Sequence, residues 1–365
     1  MTPGGATRKE PRPKVRSRKG GAAVPLDDAD KQLMNLLQSS FALDPEPFAV
    51  LSREADMPVN EVKERTQRLL DERIIREITP IFDTRALGYE SMLVAAKVDS
   101  ENPHRAAKII NSHPGVSHNY LRTHEFNLWF TIATPPDSAL GLDGTLEMLK
   151  AATGAESIRQ LPTLTLFKIN MNLEMEQGTE ALAADVDAAP PRELEAQPYD
   201  QTDIAVIRAL QGPMAVTKRP YDAAAEKVGM PTDRFLEHLQ GMVARKLLRR
   251  VAAILYHRRA GFSANGMGVW CVPEDQVPEV GRRMAAVRGI SHCYQRPTYP
   301  DWPYSVFTMA HGRSKTECDA ILDRIAEEHS LQGDDRAVLY SSTEFKKVRL
   351  LYFVDDYARW EAEHS

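Results

Sequence analysis

Apolar residues in the first part of the chain recur at helical spacing: Leu33, Leu36 and Leu37, then Phe48, Leu51 and Ala55, then Val62, Leu69 and Leu70. They predict three short helices over 28–75, broken at Met57-Pro58, with Asn60 as N-cap of the third. A tight turn before the last helix is the helix-turn-helix pattern, and Ile74–Phe82 then alternates as a wing strand. Beyond the wing the period changes repeatedly. "SMLVAAKVD" predicts a strand, "PHRAAKIINSH" a helix, "VSHNYLRT" and "FNLWFTIAT" a hairpin, "SALGLDGTLEMLKAA" a helix and "SIRQLPTLTLFKIN" a last strand. The order β-α-β-β-α-β predicts a ferredoxin-like domain: a four-stranded antiparallel sheet with both helices on one face and the other face open.

The whole pattern then returns. Asp30 matches Asp203, Pro47 matches Pro220, "MPVNEV" matches "MPTDRF" and Gly88-Tyr89 matches Gly261-Phe262, all at an offset of 173. "HPGVSHNY" matches "VRGISHCY" at 174, and the second hairpin carries a longer loop, "TYPDWP". An acidic, Ala-rich stretch with Pro190-Pro191 separates the copies and reads as a linker. The expected fold class is α+β, a tandem duplication of helix-turn-helix followed by ferredoxin-like βαββαβ domain. The expected boundaries are a basic tail over 1–26, helix-turn-helix domains over 27–88 and 199–261, and ferredoxin-like domains over 89–171 and 262–355. The linker takes 172–198, and 356–365 is a C-terminal tail. Two fused relatives keep the self-complementary surface of their common ancestor, so the halves should pair as a pseudo-dimer.

Charge narrows the partners. The formal net charge is −5, but residues 1–26 carry seven Lys and Arg against Glu10, a net of +6. Taking +6 from −5 leaves −11 for the rest, a poor match to the phosphates of DNA. The predicted recognition helix mixes Lys63, Arg65 and Arg68 with Glu61, Glu64, Asp71 and Glu72, and its second copy has few basic residues early on. Cys271, Cys293 and Cys318 form no C-x-x-C pair, so the expectation is a reducing cytoplasm without disulfides, with Cys293 a small core residue. No apolar run approaches the roughly 20 residues of a membrane span.

Candidate chemistry sits in the duplicated hairpin. His118, Tyr120, Arg122 and His124 occupy alternate positions, and His292, Tyr294 and Arg296 repeat the spacing. On a strand, alternate side chains share one face. With Val116, Leu121 and Leu128 facing the helices, the polar stripe faces the open side. If the halves stack their open faces, the two stripes meet across a shared cleft. Trp129, Tyr299, Trp302 and Tyr304 flank them, and His311 ends the second hairpin strand, aligned with Thr134. The chain has no Ser-His-Asp order, G-x-S-x-G elbow, P-loop, H-E-x-x-H or EF-hand loop. Imidazoles can ligate iron or move protons, guanidinium groups bind carboxylates, and flat aromatic rings suit a large planar ligand. An anionic, planar, metal-bearing molecule uses all three.

These residues carry a family resemblance. A helix-turn-helix followed by a ferredoxin-like ligand domain resembles the Lrp/AsnC transcription regulators. Within that superfamily, "HPGVSHNYLRTHEFNLWFTI" and "GISHCYQRPTYPDWPYSVFTMAHG" look like the two paralogous subunits of sirohaem decarboxylase, here fused over about 27–350. The resemblance implies a cytoplasmic lyase that removes carbon dioxide from two acetate side chains of sirohaem. The product, 12,18-didecarboxysirohaem, would feed haem d1 synthesis or an alternative haem route, and other haem d1 biosynthesis proteins would be candidate partners. It implies His118 or His292 as axial ligand of the substrate iron and as proton donor, with Tyr120 and Tyr294 beside them. Arg122, Arg296, His124, Trp129, Tyr299, Trp302, Tyr304 and His311 would bind substrate. No cofactor is expected beyond the substrate's iron. His124 has no mate in the second copy, so one productive site per chain with divided roles is expected, and higher assembly stays open. The competing readings are a DNA-binding regulator with an effector pocket and a haem-binding protein without turnover.

Overall fold

The computed structural model describes residues 26–169, 196–256, 264–312 and 314–364. The basic tail but for Leu26, most of the linker, and His257 lie outside the described residues. In chain order the first half runs α1 (Asp28–Ser39), α2 (Pro47–Ala55), α3 (Val59–Asp71), β1 (Ile75–Phe82), β2 (Glu90–Lys97), α4 (Pro103–Ser112), β3 (His118–Arg122), β4 (Leu128–Thr134), α5 (Gly141–Thr153), β5 (Ser157–Gln160) and β6 (Thr165–Ile169). The second runs α6 (Gln201–Leu210), α7 (Asp222–Val228), α8 (Thr232–Ala244), β7 (Leu248–Leu255), β8 (Ala264–Trp270), α9 (Val277–Ala286), β9 (Ile290–Gln295), β10 (Val306–Gly312), α10 (Lys315–His329), β11 (Arg336–Leu339), β12 (Ser341–Lys347) and α11 (Asp356–His364).

Each helix-turn-helix unit opens with the same capping box. The Asp27 carboxylate accepts from the Asp30 amide, and Asp200 does the same for Asp203. Asp30 and Asp203 are themselves buried. Arg65 and Arg68 converge on Asp30 at 2.9 and 2.5 Å, while Arg245 and His238 converge on Asp203 at 2.6 and 2.8 Å. Two of the three basic residues of the first recognition helix are thus committed inward. The third helix begins one residue before Asn60, with Pro58 as its N-cap, so Asn60 lies inside the first turn. The wings β1 and β7 pair antiparallel across the halves, Ile78 opposite Ala253 and Thr79 opposite Ala252. Both helix-turn-helix units share one core around this ribbon, including Leu37, Phe41, Phe48, Tyr221 and Phe235.

The ferredoxin-like sheets have five strands each, not the expected four, because the halves exchange strands. The sheets are ordered β12-β3-β4-β2-β5 and β11-β8-β10-β9-β6. "SIRQLPTLTLFKIN" is not one strand: it breaks after Gln160, and β6 crosses to pair with β9. The segment near 336–346 breaks at Tyr340 in the same way, and β12 crosses to pair with β3. Each exchanged strand covers what would be a bare sheet edge. Leu121 and Leu128 pack under α4 and α5 as alternation requires, Val116 joins the same core from the loop before β3, and Cys293 is buried in the matching core of the second half. Over Asp356–His364 the C-terminal segment is a helix that returns to the first half. Its Trp360 meets His113 edge-on at 4.6 Å and donates Nε1–H to Ser112 Oγ at 2.9 Å.

Candidate functional site

The open faces of the two sheets stack against each other through an aromatic layer containing Phe126, Trp129, Trp302, Tyr304 and Phe307. Strand register sets the equivalences. Tyr120 lies opposite Trp129, and Tyr294 lies opposite Phe307, so Trp129 and Phe307 are mates. Their rings are 6.3 Å apart, which places the pseudo-twofold axis between them. By the same register His118 faces Thr131 and His292 faces Met309, which makes Ala133, not Thr134, the mate of His311.

The two polar stripes converge at their arginine ends. Arg122 Nη1 donates to the Leu339 carbonyl at the end of β11 at 3.1 Å, and Arg296 Nη1 donates to the Leu161 carbonyl just beyond β5. Each guanidinium also lies over an aromatic ring, Arg122 over Trp129 at 5.5 Å and Arg296 over Tyr294 at 5.1 Å. In both, Nε is shut off from water and has no hydrogen-bond partner. Burial pushes both groups down to about 10, which still leaves them cationic at neutral pH. The histidines stand four residues further along each strand, about 13 Å at ~3.3 Å per residue.

Each histidine is oriented by the serine before it. Ser117 Oγ is 3.0 Å from His118 Nδ1, and Ser291 Oγ is 2.6 Å from His292 Nδ1. Ser117 is fixed in turn by Thr131 Oγ1 at 2.7 Å. With Nδ1 engaged, Nε2 is the nitrogen that can meet an iron or pass a proton. The rings follow one another along the stripe, His118 stacked with Tyr120 at 6.2 Å and His292 tilted against Tyr294 at 6.0 Å. Burial, then Lys347 and Arg76, lowers the His118 pKa, so the imidazole is neutral at pH 7 and fit to ligate a metal. Burial raises the Tyr294 pKa, which keeps its phenol protonated.

The other candidates serve the inter-half layer. Trp129 and Trp302 are buried and meet at 5.4 Å. His124 accepts from the Phe126 amide at 3.1 Å and reaches across to Trp302 and Tyr304 at 5.3 and 6.1 Å. Tyr299 donates to the Gln160 carbonyl at 2.6 Å, and neighbouring Asp301 holds Arg159 at 2.8 Å, docking the long second loop on β5. His311 lies on β10 opposite Asn265, on the same face as Met309 and Phe307 by alternation. Three basic residues that the sequence did not single out stand beside the first stripe: Arg76 on the wing, Lys347 opposite His118, and Arg349 just past β12. The serines were legible, since both echoes begin Ser-His. Lys347 and Arg349 were not, being more than 200 residues away along the chain. Among the described residues no cluster of three or more His, Cys, Asp or Glu could hold a metal ion by itself, and no helix is long and apolar enough to cross a membrane.

Comparison with known proteins agrees with this architecture. The model of the AsnC-like ligand binding domain matches residues 86–168 and 259–346. The model of the siroheme decarboxylase NirDL-like HTH domain matches 30–76 and 203–249. The siroheme decarboxylase of Hydrogenobacter thermophilus is 37% identical over 91% of this chain and 97% of its own length. The siroheme decarboxylase beta subunit of Oleidesulfovibrio alaskensis is 40% identical over 43% of this chain and 99% of its own length, as a single-half relative should be. The crystal structure of siroheme decarboxylase NirDL in complex with an iron-uroporphyrin III analogue superposes with a TM-score of 0.74. It is 32% identical and covers 92% of this chain and 98% of that one.

Proposed function

The chain belongs to the siroheme decarboxylase family, and on that premise we propose that it is a carboxy-lyase converting sirohaem to 12,18-didecarboxysirohaem. The observation that carries the reading is the duplicated Ser-His-x-Tyr-x-Arg stripe, with each imidazole oriented through Nδ1. Sirohaem is planar, iron-bearing and polyacidic, and it meets in turn the aromatic, imidazole and guanidinium groups of that stripe.

At each acetate the bond between the methylene carbon and the carboxylate breaks. Carbon dioxide departs, and the electron pair stays on the methylene carbon, where the conjugated ring spreads it. One proton then converts that carbon to methyl, so each turnover of one acetate consumes one proton and no oxidant. A neutral His118 binds iron through Nε2, or hands a proton on when protonated, while a phenol such as that of Tyr294 donates from its neutral form. The macrocycle is its own electron sink, so the reading requires no further cofactor. The recognition-helix arginines bound to Asp30 argue against the regulator, because they are spent on an internal carboxylate. Anaerobic incubation with sirohaem followed by mass analysis tests the proposal. Loss of two carbon dioxides is expected. Sirohaem recovered bound but unchanged would make the protein a carrier, and salt-sensitive retention on DNA without turnover would make it a regulator.

A further inference from the structure

The turn that leads into β3 is built around a buried imidazole. His113 caps the C-terminus of α4. Its Nδ1 accepts from the Gly115 amide at 3.1 Å, and its carbonyl accepts from Val116 N–H at 3.1 Å and from Lys346 Nζ at 3.3 Å. Burial keeps the ring neutral at pH 7, so Nδ1 remains an acceptor. Gly115 passes the restraint on. Its carbonyl accepts from the Ala133 amide at 3.0 Å, and two residues later Ser117 carries the hydroxyl that orients His118.

The last helix of the chain closes over that imidazole. Tyr357 and Trp360 meet the His113 ring edge-on at 5.8 and 4.6 Å, and His364 stacks on Trp360 at 4.3 Å. Glu361 accepts from Ser138 Oγ and from the Ala139 amide, in the loop between β4 and α5. α11 thus grips the chain just before β3 and just after β4, the two neighbouring ends of the first hairpin.

The second copy shows that the turn itself closes without these groups. Val287 stands at the place of His113, and Gly289 at that of Gly115. Ile290 N–H donates to the Val287 carbonyl at 3.1 Å and His311 N–H to the Gly289 carbonyl at 3.0 Å, the same bonds at the same places. Gly289 reaches them at φ 92°, a left-handed conformation that Gly115 does not adopt. Val287 has no side-chain acceptor for the Gly289 amide. The Nδ1 restraint therefore belongs to the first copy and exceeds what the backbone bonds of the turn require.

Resting on the sirohaem reading above, we propose that His113 and Trp360 are positioning residues, through which the C-terminal helix holds Ser117 and His118 in the orientation that proton transfer needs. Their loss leaves the stripe's side chains present but less well aimed. Turnover then suffers more than substrate binding does.

Four variants of the full chain test this. In anaerobic turnover of sirohaem, His113→Leu should lower kcat about tenfold and leave KM within about twofold. His113→Asn, whose Oδ1 can accept the Gly115 N–H in place of Nδ1, should restore most of that loss. Trp360→Ala should act as His113→Leu does, and Trp360→Phe as the parent does. Without substrate, hydrogen exchange of the Gly115 and Ser117 amides should quicken about tenfold in His113→Leu and in Trp360→Ala. Trp360 lies on the terminal helix, so Trp360→Ala decides the matter if His113→Leu does not fold. His113→Asn as slow as His113→Leu, or Trp360→Ala with the parent's kcat or the parent's exchange, would overturn the proposal. A parent that decarboxylates sirohaem while the variants miss this pattern refutes the positioning alone. A parent whose variants show the exchange pattern but which never decarboxylates sirohaem refutes the reading beneath it.

Discussion

Replacing Arg122 by Met separates a structural clamp from a substrate clamp. Burial lowers the guanidinium well below its ordinary value, to about 10, a cost of about 3 kcal/mol at ~1.36 kcal/mol per pKa unit. Against that stand one hydrogen bond from a charged donor to Leu339, worth about 1.5–3 kcal/mol, and a cation–π contact with Trp129, worth about 1 kcal/mol. The terms nearly cancel, and Met keeps most of the side-chain volume. Arg122→Met should therefore shift folding stability by less than about 1.5 kcal/mol, measured by urea unfolding. On the proposed function, the acceptor for the unmatched Nε–H is a carboxylate of the substrate. The same variant should accordingly raise the sirohaem KM about tenfold or more. A loss above about 3 kcal/mol with unchanged KM in the folded fraction would leave Arg122 a strut between the halves and not a substrate clamp.

Two further outcomes follow from the same structure. Gly115 precedes the first stripe, and a Cβ there would run into the Ala133 carbonyl, beside the Ala133 N–H to Gly115 carbonyl bond at 3.0 Å. Gly115→Ala should cost about 2–4 kcal/mol and displace Ser117 and His118; unfolding and turnover that both match the parent would contradict it. His113 is buried against Trp360, and burial, then Lys346 and His364, pushes it down to about 3. Its folded pKa lies below its unfolded value, so the unfolded chain binds the extra proton between about pH 6.5 and 3. Stability is complete above that window and falls through it by up to about 1.4 kcal/mol per pH unit. His113→Gln should flatten that slope, and an unchanged slope in urea melts at successive pH values would reject the assignment.

Much of this architecture could be read from the residues because periodicity reports on local contacts. The two halves, the helix-turn-helix segments and the βαββαβ order need only 3.6- and 2-residue periods and an offset of 173. Strand exchange is different. "TLTLFKI" alternates in the same way whether it pairs with its own sheet or its neighbour's, and only the edge left bare by β9 decides. For the same reason the site was only half legible. The stripes are local and visible, whereas Lys347 and Arg349 reach His118 through an exchanged strand. Trp129 and Trp302, expected to flank the stripes as ligand-binding rings, form the packed layer between the sheets. The offset of His311 slipped by one residue because the longer second loop hides the register that β9 and β10 fix.

On the proposed function this chain protonates a sirohaem methylene carbon as carbon dioxide leaves, using His118 and the phenols of the two stripes. A single-turnover reaction in deuterated water, with the product weighed by mass spectrometry, addresses it directly. Loss of two carbon dioxides, one solvent deuteron in each new methyl group, and no product from His118→Ala are expected. Intact sirohaem from the parent protein, undeuterated methyl groups, or full turnover by His118→Ala would contradict it.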